Sequence, residues 1–232
     1  MKKKSIISLA LGVCIVALML VSTPLTAQPK IPDITGVNEV HLNLACKVTI
    51  IQGDKALLTI TGDSEDLEDV YTRLRGETLE IHNDSHHQHK DDVAITITLP
   101  DLKELSVGGA VTITTPNQVV FDDLKVDVSG VADFDLKLKS KILKLEASGV
   151  ISGDIVGDTK DFKIEISGVG KLDASGFKSE NCDVEVSGVA KASVYATERL
   201  DASVSGMGRI YYQGRPIINK SSSGFGSISR LK

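Results

Sequence analysis

The 232-residue chain has no tryptophan, only 4% aromatic residues, six prolines and three cysteines. So few cysteines exclude a disulfide-stapled miniprotein, and so little proline excludes a collagen-like chain. A hydrophobic content of 41% excludes intrinsic disorder, and a charged content of 25% excludes a polytopic membrane protein. What remains is an aliphatic chain with 20 glycines, which is typical of a globular or repetitive β protein.

The amino end has the pattern of a secretory signal peptide. Three lysines at positions 2–4 precede an apolar run over residues 6–21, and small and turn residues follow as far as Ala27. The apolar run is short and interrupted for a membrane-spanning helix, so we expect cleavage after Ala27 rather than a retained anchor. The signal peptide is therefore assigned to residues 1–27, and no transmembrane segment is expected in the mature chain.

Cleavage changes the charge balance and the cysteine count. The mature chain has 23 basic and 31 acidic residues, a net charge of −8. This charge argues against nucleic-acid binding, which requires a basic surface. Cys46 and Cys182 remain, and no spacing pattern supports a disulfide between them, so we predict two separate buried thiols.

A repeat of about nineteen residues organises the second half of the chain. Successive anchor glycines, starting from a degenerate copy at Gly109, are 21, 19, 19, 20, 18 and 18 residues apart. In the six clear copies a serine precedes each anchor glycine: Gly130, Gly149, Gly168, Gly188, Gly206 and Gly224. A near-constant period indicates stacked units, and a serine repeated six times indicates a structural corner rather than a nucleophile.

Apolar residues occupy fixed positions in the five clear copies before the last one. They stand six, four and two residues before the glycine, as Leu143, Leu145 and Ala147 do before Gly149. This period of two predicts a strand with one face in the core. Apolar residues also recur one and four positions after the glycine, which predicts a second short strand beyond each corner.

The pattern predicts an all-β protein, and specifically a parallel β-helix with one coil of about nineteen residues per repeat. An antiparallel sandwich or meander is the alternative, but like positions align over six copies and no two-residue hairpin turn separates the strands. Residues 28–35 are assigned to a linker and residues 36–232 to a single domain, with the repeated coils over 101–232. The less regular residues 36–100 predict an amino-terminal cap with strands and one short helix, which starts at Ser64 and has apolar positions as far as Leu74.

Three stretches carry a resemblance to a known family. They are VTIIQGDKALLTITGDSEDLEDVYTRLRGETLEIHN (Val48–Asn83), ITITLPDLKELSVGGA (Ile95–Ala110) and the repeated SGV and SGM units. Together they resemble the exported domain family described as putative auto-transporter adhesin, head GIN domain, over nearly the whole mature chain. The resemblance implies a right-handed β-helix of a Gram-negative bacterium, in the periplasm or at the outer cell surface, with an adhesive role and no established catalytic residues. We expect no translocator barrel, and hence no self-exporting autotransporter.

One histidine-rich segment is a candidate metal site. The residues are HNDSHHQHKDD, from position 82 to 92, and the candidate ligands are His82, His86, His87, His89 and Asp91. Imidazole and carboxylate groups are ligands for zinc or copper. The irregular spacing between two predicted strands favours a solvated hairpin loop instead, so no cofactor is expected beyond an adventitious divalent metal.

Charged residues recur in columns on the predicted outer surface. One column holds Asp127, Glu146, Glu165 and Glu185, and a lysine column beside it predicts a ladder of surface salt bridges. A second column holds Asp135, Asp154 and Asp173, near the basic residues Lys171, Lys191 and Arg209. Such acids and bases could form the calcium site and base of a polysaccharide-cleaving enzyme, but their serial repetition is typical of a repeat-protein surface.

The sequence therefore favours an exported, non-enzymatic protein that binds a surface glycan or protein through an extended side face. A carbohydrate-active enzyme and a periplasmic metal-binding protein are the alternatives. Lys220 and Ser222 replace core residues in the last repeat, which favours a closed end, a monomer or a dimer, over endless polymerisation.

Overall fold

The structure is a computed structural model that describes residues 31–83 and 93–231. The predicted signal peptide lies outside the described residues. The elements are β1 (Glu39–Asn43), β2 (Cys46–Gln52), β3 (Leu57–Thr61), α1 (Ser64–Glu68), β4 (Val70–Arg75), β5 (Thr78–Asn83), β6 (Ala94–Leu99), β7 (Glu104–Val107), β8 (Ala110–Thr114), β9 (Val119–Val128), β10 (Val131–Ala147), β11 (Val150–Ile166), β12 (Val169–Val186), β13 (Val189–Gly206), β14 (Arg209–Gln213), β15 (Ile217–Gly224) and β16 (Ser227–Arg230). In these ranges no helix is long and apolar enough to cross a membrane.

The strands form a β-solenoid of about seven turns, which confirms the predicted β-helix. Each long strand, β10 to β13, begins just after one corner glycine; β10 to β12 end just before the next one, and β13 ends at Gly206. Each pairs in parallel with the following one, so Leu143 lies beside Phe162 and Phe162 beside Cys182. The antiparallel alternative is wrong for the repeats, because in the described part of the chain only the pairs β3–β6 and β4–β5 are antiparallel.

The core is a narrow stack of aliphatic columns. In β10 the side chains alternate between buried and exposed, as the period of two predicts. The largest buried pair is Phe162 and Phe177, whose ring centroids lie 5.1 Å apart in an edge-to-face arrangement. A column of this width accommodates valine, isoleucine, leucine and alanine, which explains the scarcity of aromatic residues.

The corner glycines are required by close stacking of successive coils. A Cβ atom added at Gly168 would overlap the carbonyl oxygen of Gly149, and one added at Gly149 would overlap that of Gly130. These glycines do not have positive φ angles; in the corner column only Gly206 and Gly224 do. Since the carbonyl of one corner occupies the space above the next, no side chain can be accommodated there.

A second bend in each coil contains buried hydroxyl groups that the sequence analysis did not identify. Ser140, Thr159 and Ser179 stack in this column with little or no exposure. The Ser140 hydroxyl donates to Thr159 Oγ1 at 3.0 Å, and Ser179 Oγ donates to the Tyr195 carbonyl at 2.8 Å. The hydroxyl groups therefore form hydrogen bonds with one another and with the local backbone. They do so at the point in each strand where the regular alternation of buried and exposed side chains is interrupted.

The amino-terminal region contains coils of its own. The β1–β2 coil lies between the β5–β6 coil and the β7–β8 coil. The first coil in the sequence is therefore the second coil in the stack, and the β5–β6 coil, which comes later in the sequence, forms the end of the stack. Strands β3 and β4 add antiparallel edges beyond β6 and β5. The antiparallel, non-coiled part of this end is therefore Leu57–Arg75, and Ile34 is already buried in the core.

The short helix is confirmed, but its predicted extent is wrong. It ends at Glu68, and Val70–Arg75 form strand β4, paired with β5. Val70, Tyr71 and Thr72 are residue types that favour strands, and pairing with β5 prevails over their helical spacing.

Cys46 and Cys182 are free and buried, as predicted. Burial raises the pKa of the Cys46 thiol to about 12, and burial, chiefly, raises the pKa of the Cys182 thiol as well. A raised thiol pKa means that folding favours the neutral form, so this contribution to stability is present below the ordinary thiol pKa and is lost as the pH rises above it.

We expect the chain without residues 1–27 to resist a thiol reagent at pH 8 and to react at both cysteines in guanidinium chloride. Rapid labelling of the folded chain would contradict this burial.

Candidate functional site

The solenoid presents two long outer faces on either side of the corner glycines. We call the outward side chains of the segments before each corner the pre-corner face, and those after each corner the post-corner face. Each face consists of parallel strands, so its side chains form columns with a spacing of ~4.8 Å wherever the strands are in register. These columns determine what the surface can bind.

The pre-corner face holds the first acidic column, Asp127, Glu146, Glu165 and Glu185 in register. Lys144 Nζ lies 2.6 Å from a Glu146 oxygen, and Lys163 Nζ lies 2.7 Å from a Glu165 oxygen. Lys125 also reaches Glu146 in the next coil, at 3.5 Å. The hydrogen bond from Lys144, together with the charges of Lys144 and Lys125, holds the pKa of Glu146 below its ordinary value. Most charges of this face are thus neutralised within it.

The pairing changes towards the carboxyl end of the same face. Asp183 follows Lys163 in the basic column, and Asp201 follows Asp183. Burial and the neighbouring acids, Asp201 first among them, raise the pKa of Asp183, although Lys163 opposes the shift. A shallow groove of about 430 Å³ passes between these residues and includes Arg199, which pairs with Asp201 at 2.6 Å. This groove is a local depression in a charged surface. Asp201 pairs with Arg199, Asp161 accepts a hydrogen bond from Asn181, and Asp183 lies close enough to Lys163 to feel its charge.

The post-corner face holds the second acidic column. Asp135, Asp154 and Asp173 lie in register in three successive coils. Hydrogen bonds from Ser175 lower the pKa of Asp173, and Lys171 and Lys191 contribute to the shift. Within the described residues, no three acidic, histidine or cysteine side chains converge as metal ligands do. The aspartates are therefore a row along the surface, without the convergence that a calcium site requires.

The basic residues of this face form the adjacent column. Lys171 lies beside Lys191, and Lys191 beside Arg209. Lys191 Nζ also lies 4.8 Å from the centre of the Tyr211 ring, in a cation–π contact. The face thus becomes more basic along the axis, from Asp133 and Ser152 to these three residues.

An exposed apolar column runs along the edge of the post-corner face. Its six members are the residues directly after the anchor glycines: Val131, Val150, Val169, Val189, Met207 and Phe225. The sequence pattern groups this position with the apolar columns, but here it is 45% to 91% exposed, while the positions two and four after the glycine point inward. We call this column the apolar ladder. Its members are aligned by strand register and, for Met207 and Phe225, by backbone hydrogen bonds to Gly188 and Gly206.

The spacing of apolar residues in the sequence indicates that one of these columns is exposed. Apolar residues one and four positions after a glycine cannot share one face of a strand, because the side-chain period is two. One of the two columns therefore has to be outside, and small residues at the position two after the glycine, such as Ala132 and Gly170, mark the inner one.

Of the five candidate metal ligands, His82 alone lies among the described residues. His82 lies on the outer side of β5 and its ring stacks on Tyr71, with centroids 6.0 Å apart. His86, His87, His89 and Asp91 lie outside the described residues. The metal hypothesis therefore stays a prediction.

Comparisons with known proteins agree on the fold. The model of a family described as putative auto-transporter adhesin, head GIN domain, matches residues 37–216. The crystal structure of a putative adhesin from Bacteroides fragilis superposes with a TM-score of 0.81 at 24% identity, covering 86% of this chain and 94% of that one.

Two further structures have the same fold. A putative lipid binding protein from Parabacteroides distasonis has a TM-score of 0.63 at 23% identity and covers 84% of this chain and 93% of that one. A putative adhesin from Parabacteroides merdae has a TM-score of 0.59 at 19% identity and covers 84% and 92%. No curated protein matches the sequence.

Proposed function

Because the chain belongs to the family described as putative auto-transporter adhesin, head GIN domain, we propose that it is an exported, non-enzymatic protein that binds another surface macromolecule through its post-corner face. The signal-peptide pattern over residues 1–27 supports export to the periplasm or the outer cell surface.

The apolar ladder is the observation that carries this proposal. Six stacked side chains extend over about 24 Å, given the strand spacing of ~4.8 Å, and they form one continuous strip. Single exposed apolar residues are ordinary on a protein surface, but a contiguous strip marks an interaction site. The same position could hold a polar residue without disturbing the core, because it points away from it. Contact with a partner explains why all six positions are apolar.

The composition of the face favours a protein partner over a glycan. Glycan recognition depends on aromatic rings that stack on sugars. On this face Tyr211 is engaged with Lys191, and Phe225 lies at the far end of a ladder whose other five members carry no ring. Aliphatic side chains bury well against another aliphatic row. The corner serines on one side and Lys171, Lys191 and Arg209 on the other supply a polar rim, the last three suited to acidic residues of the partner.

The arrangement of acids and bases supports a non-enzymatic role. General acid–base catalysis and metal-assisted cleavage both require groups that converge on one reacting atom. On the post-corner face the acids and bases follow one another in columns, each residue in its own coil. The structures described above carry names of binding proteins, two of them adhesins.

The test is binding of the mature chain to a panel of surface proteins and surface glycans. We expect a protein partner in the panel, and a variant with Val150→Ser, Val169→Ser and Val189→Ser should bind it at least about tenfold more weakly, since each substitution removes buried apolar area. The matched control changes Lys125, Lys144 and Lys163 to serine on the pre-corner face and should retain binding. Equal losses in both variants, or no binding at about 100 μM across the panel, would contradict the proposal.

A further inference from the structure

The last coil of the solenoid differs in charge from the rest of the molecule. Beyond Asp201 the sequence has five basic residues and no acidic one, so the preceding 201 residues carry a net charge of −10. The described basic residues of this stretch are Arg209, Arg215, Lys220 and Arg230, and all four are exposed. None of them forms an ion pair with another described residue. The carboxyl end is therefore a basic pole on an acidic protein.

The same coil exposes large apolar side chains. Phe225 is 91% exposed and Ile217 is 83% exposed, the two highest values for large hydrophobic residues in the described chain. Ile218 and Ile228, which continue the core columns of Leu200 and Ile210, are only partly covered. Apolar and basic side chains are thus mixed in one layer, the terminal coil, which we define as Arg215–Arg230.

The terminal coil is held in a defined position. β15 pairs with β13, and β16 pairs with β14. The Phe225 amide donates to the Gly206 carbonyl at 3.0 Å, and the Ser227 amide donates to the Gly208 carbonyl at 3.1 Å. Among the described residues, no strand pairs with the outer edges of β15 and β16. The layer is therefore an end surface with a fixed arrangement of basic and apolar groups.

We infer that the terminal coil docks on the surface of an anionic phospholipid bilayer. Basic side chains are attracted to negatively charged headgroups. An exposed phenylalanine with nearby isoleucines can enter the boundary between the headgroups and the acyl chains. A second copy of the chain is a less suitable occupant of this end. Docked through its own terminal coil, a second copy would bring two basic poles together without acidic residues between them. Docked in this way, the solenoid leaves its side faces accessible.

The inference is tested by co-sedimentation of the mature chain with vesicles. Vesicles of 30% phosphatidylglycerol in phosphatidylcholine should bind the chain, and vesicles of phosphatidylcholine alone should not. Raising the salt from 50 to 500 mM should weaken binding at least about tenfold, because the attraction is electrostatic. Soluble glycerol phosphate should not displace the chain from the vesicles, since the bilayer surface is the ligand.

Two variants and one matched control locate the site. Lys220→Gln with Arg230→Gln should weaken binding about 25-fold, at about fivefold for each charge removed, and Phe225→Ala should weaken it several-fold. Lys171→Gln with Lys191→Gln removes the same charge from the side face and should have little effect. Circular dichroism and the unfolding midpoint establish that each variant is folded.

Several outcomes would overturn the inference. These are absence of binding to anionic vesicles, equal binding to neutral ones, displacement by glycerol phosphate, and equal losses in the Lys171/Lys191 control. A concentration-dependent dimer that Phe225→Ala abolishes, without vesicle binding, would assign the end to a second copy instead. Phe225 belongs to the apolar ladder as well as to the terminal coil, so the two proposals are separated by the Val150/Val169/Val189 variant, which keeps the terminal coil intact and should still bind the vesicles.

Discussion

Gly168→Ala is expected to destabilise the protein by about 3 kcal/mol. The added methyl group would overlap the carbonyl oxygen of Gly149. That oxygen already accepts a hydrogen bond from the Val169 amide at 3.1 Å, so the corner cannot move aside without losing it. Because each coil of a solenoid is stabilised by its neighbours, the displacement also weakens the contact between two whole coils. The change is measured as the difference in free energy of unfolding from urea titrations.

The matched control for this prediction is Ser167→Ala at the same corner. Ser167 is exposed, and its backbone amide keeps its hydrogen bond to Ala147 at 2.8 Å whatever the side chain. We expect a change within about 0.5 kcal/mol. If Gly168→Ala were as mild as Ser167→Ala, the corners would have to be more loosely stacked than the structure shows.

Phe162→Ala is expected to cost about 3–5 kcal/mol. The ring is almost completely buried, lies in the column between Leu143 and Cys182, and meets Phe177 edge to face. Because the core is narrow, neighbouring side chains cannot collapse into the cavity without shifting a strand from its register. The free energy of unfolding, measured in the same way, gives the loss directly.

Phe225→Ala makes the same chemical change at an exposed site. Because that ring is 91% exposed, its removal should alter the free energy of unfolding by no more than about 0.5 kcal/mol. A large loss at Phe225, or a small one at Phe162, would mean that the inward and outward columns are wrongly assigned.

The repeated half of the fold was predictable because each coil stacks on the next in register. Equivalent residues then face equivalent surroundings, so Leu143, Phe162 and Cys182 appear in the sequence as one column. The corner glycines were predictable for the same reason. Their physical cause was not, because positive φ and close approach both select glycine, and only the neighbouring carbonyl oxygen distinguishes the two.

The amino-terminal half was less predictable because its neighbours in space are not neighbours in sequence. β1 lies between β5 and β7, a contact that no local period reveals. For the same reason the helix at Ser64 was extended too far, since strand β4 forms only when β5 is available to pair with it. Strand pairs between segments that are distant in the sequence are therefore the part of this fold that the sequence did not predict.

The candidate site shows a corresponding division. The charge columns could be placed from the sequence because they obey the strand period, and the structure aligns Asp135 with Asp154 and Glu146 with Glu165. The apolar ladder could not be assigned to the outside from hydrophobicity alone, because valine occurs on both sides of this solenoid. Its exposure depends on where the chain resumes its alternation after each corner.

The most direct test of side-face binding is site-specific photocrosslinking in cells that produce the protein. A photoreactive side chain at Val169 would stand in the apolar ladder, and one at Glu165 would stand on the pre-corner face of the preceding segment. We predict a discrete crosslinked product of constant mass from position 169 and none from position 165. Absence of a product at position 169, or the same product from both positions, would contradict binding through the post-corner face.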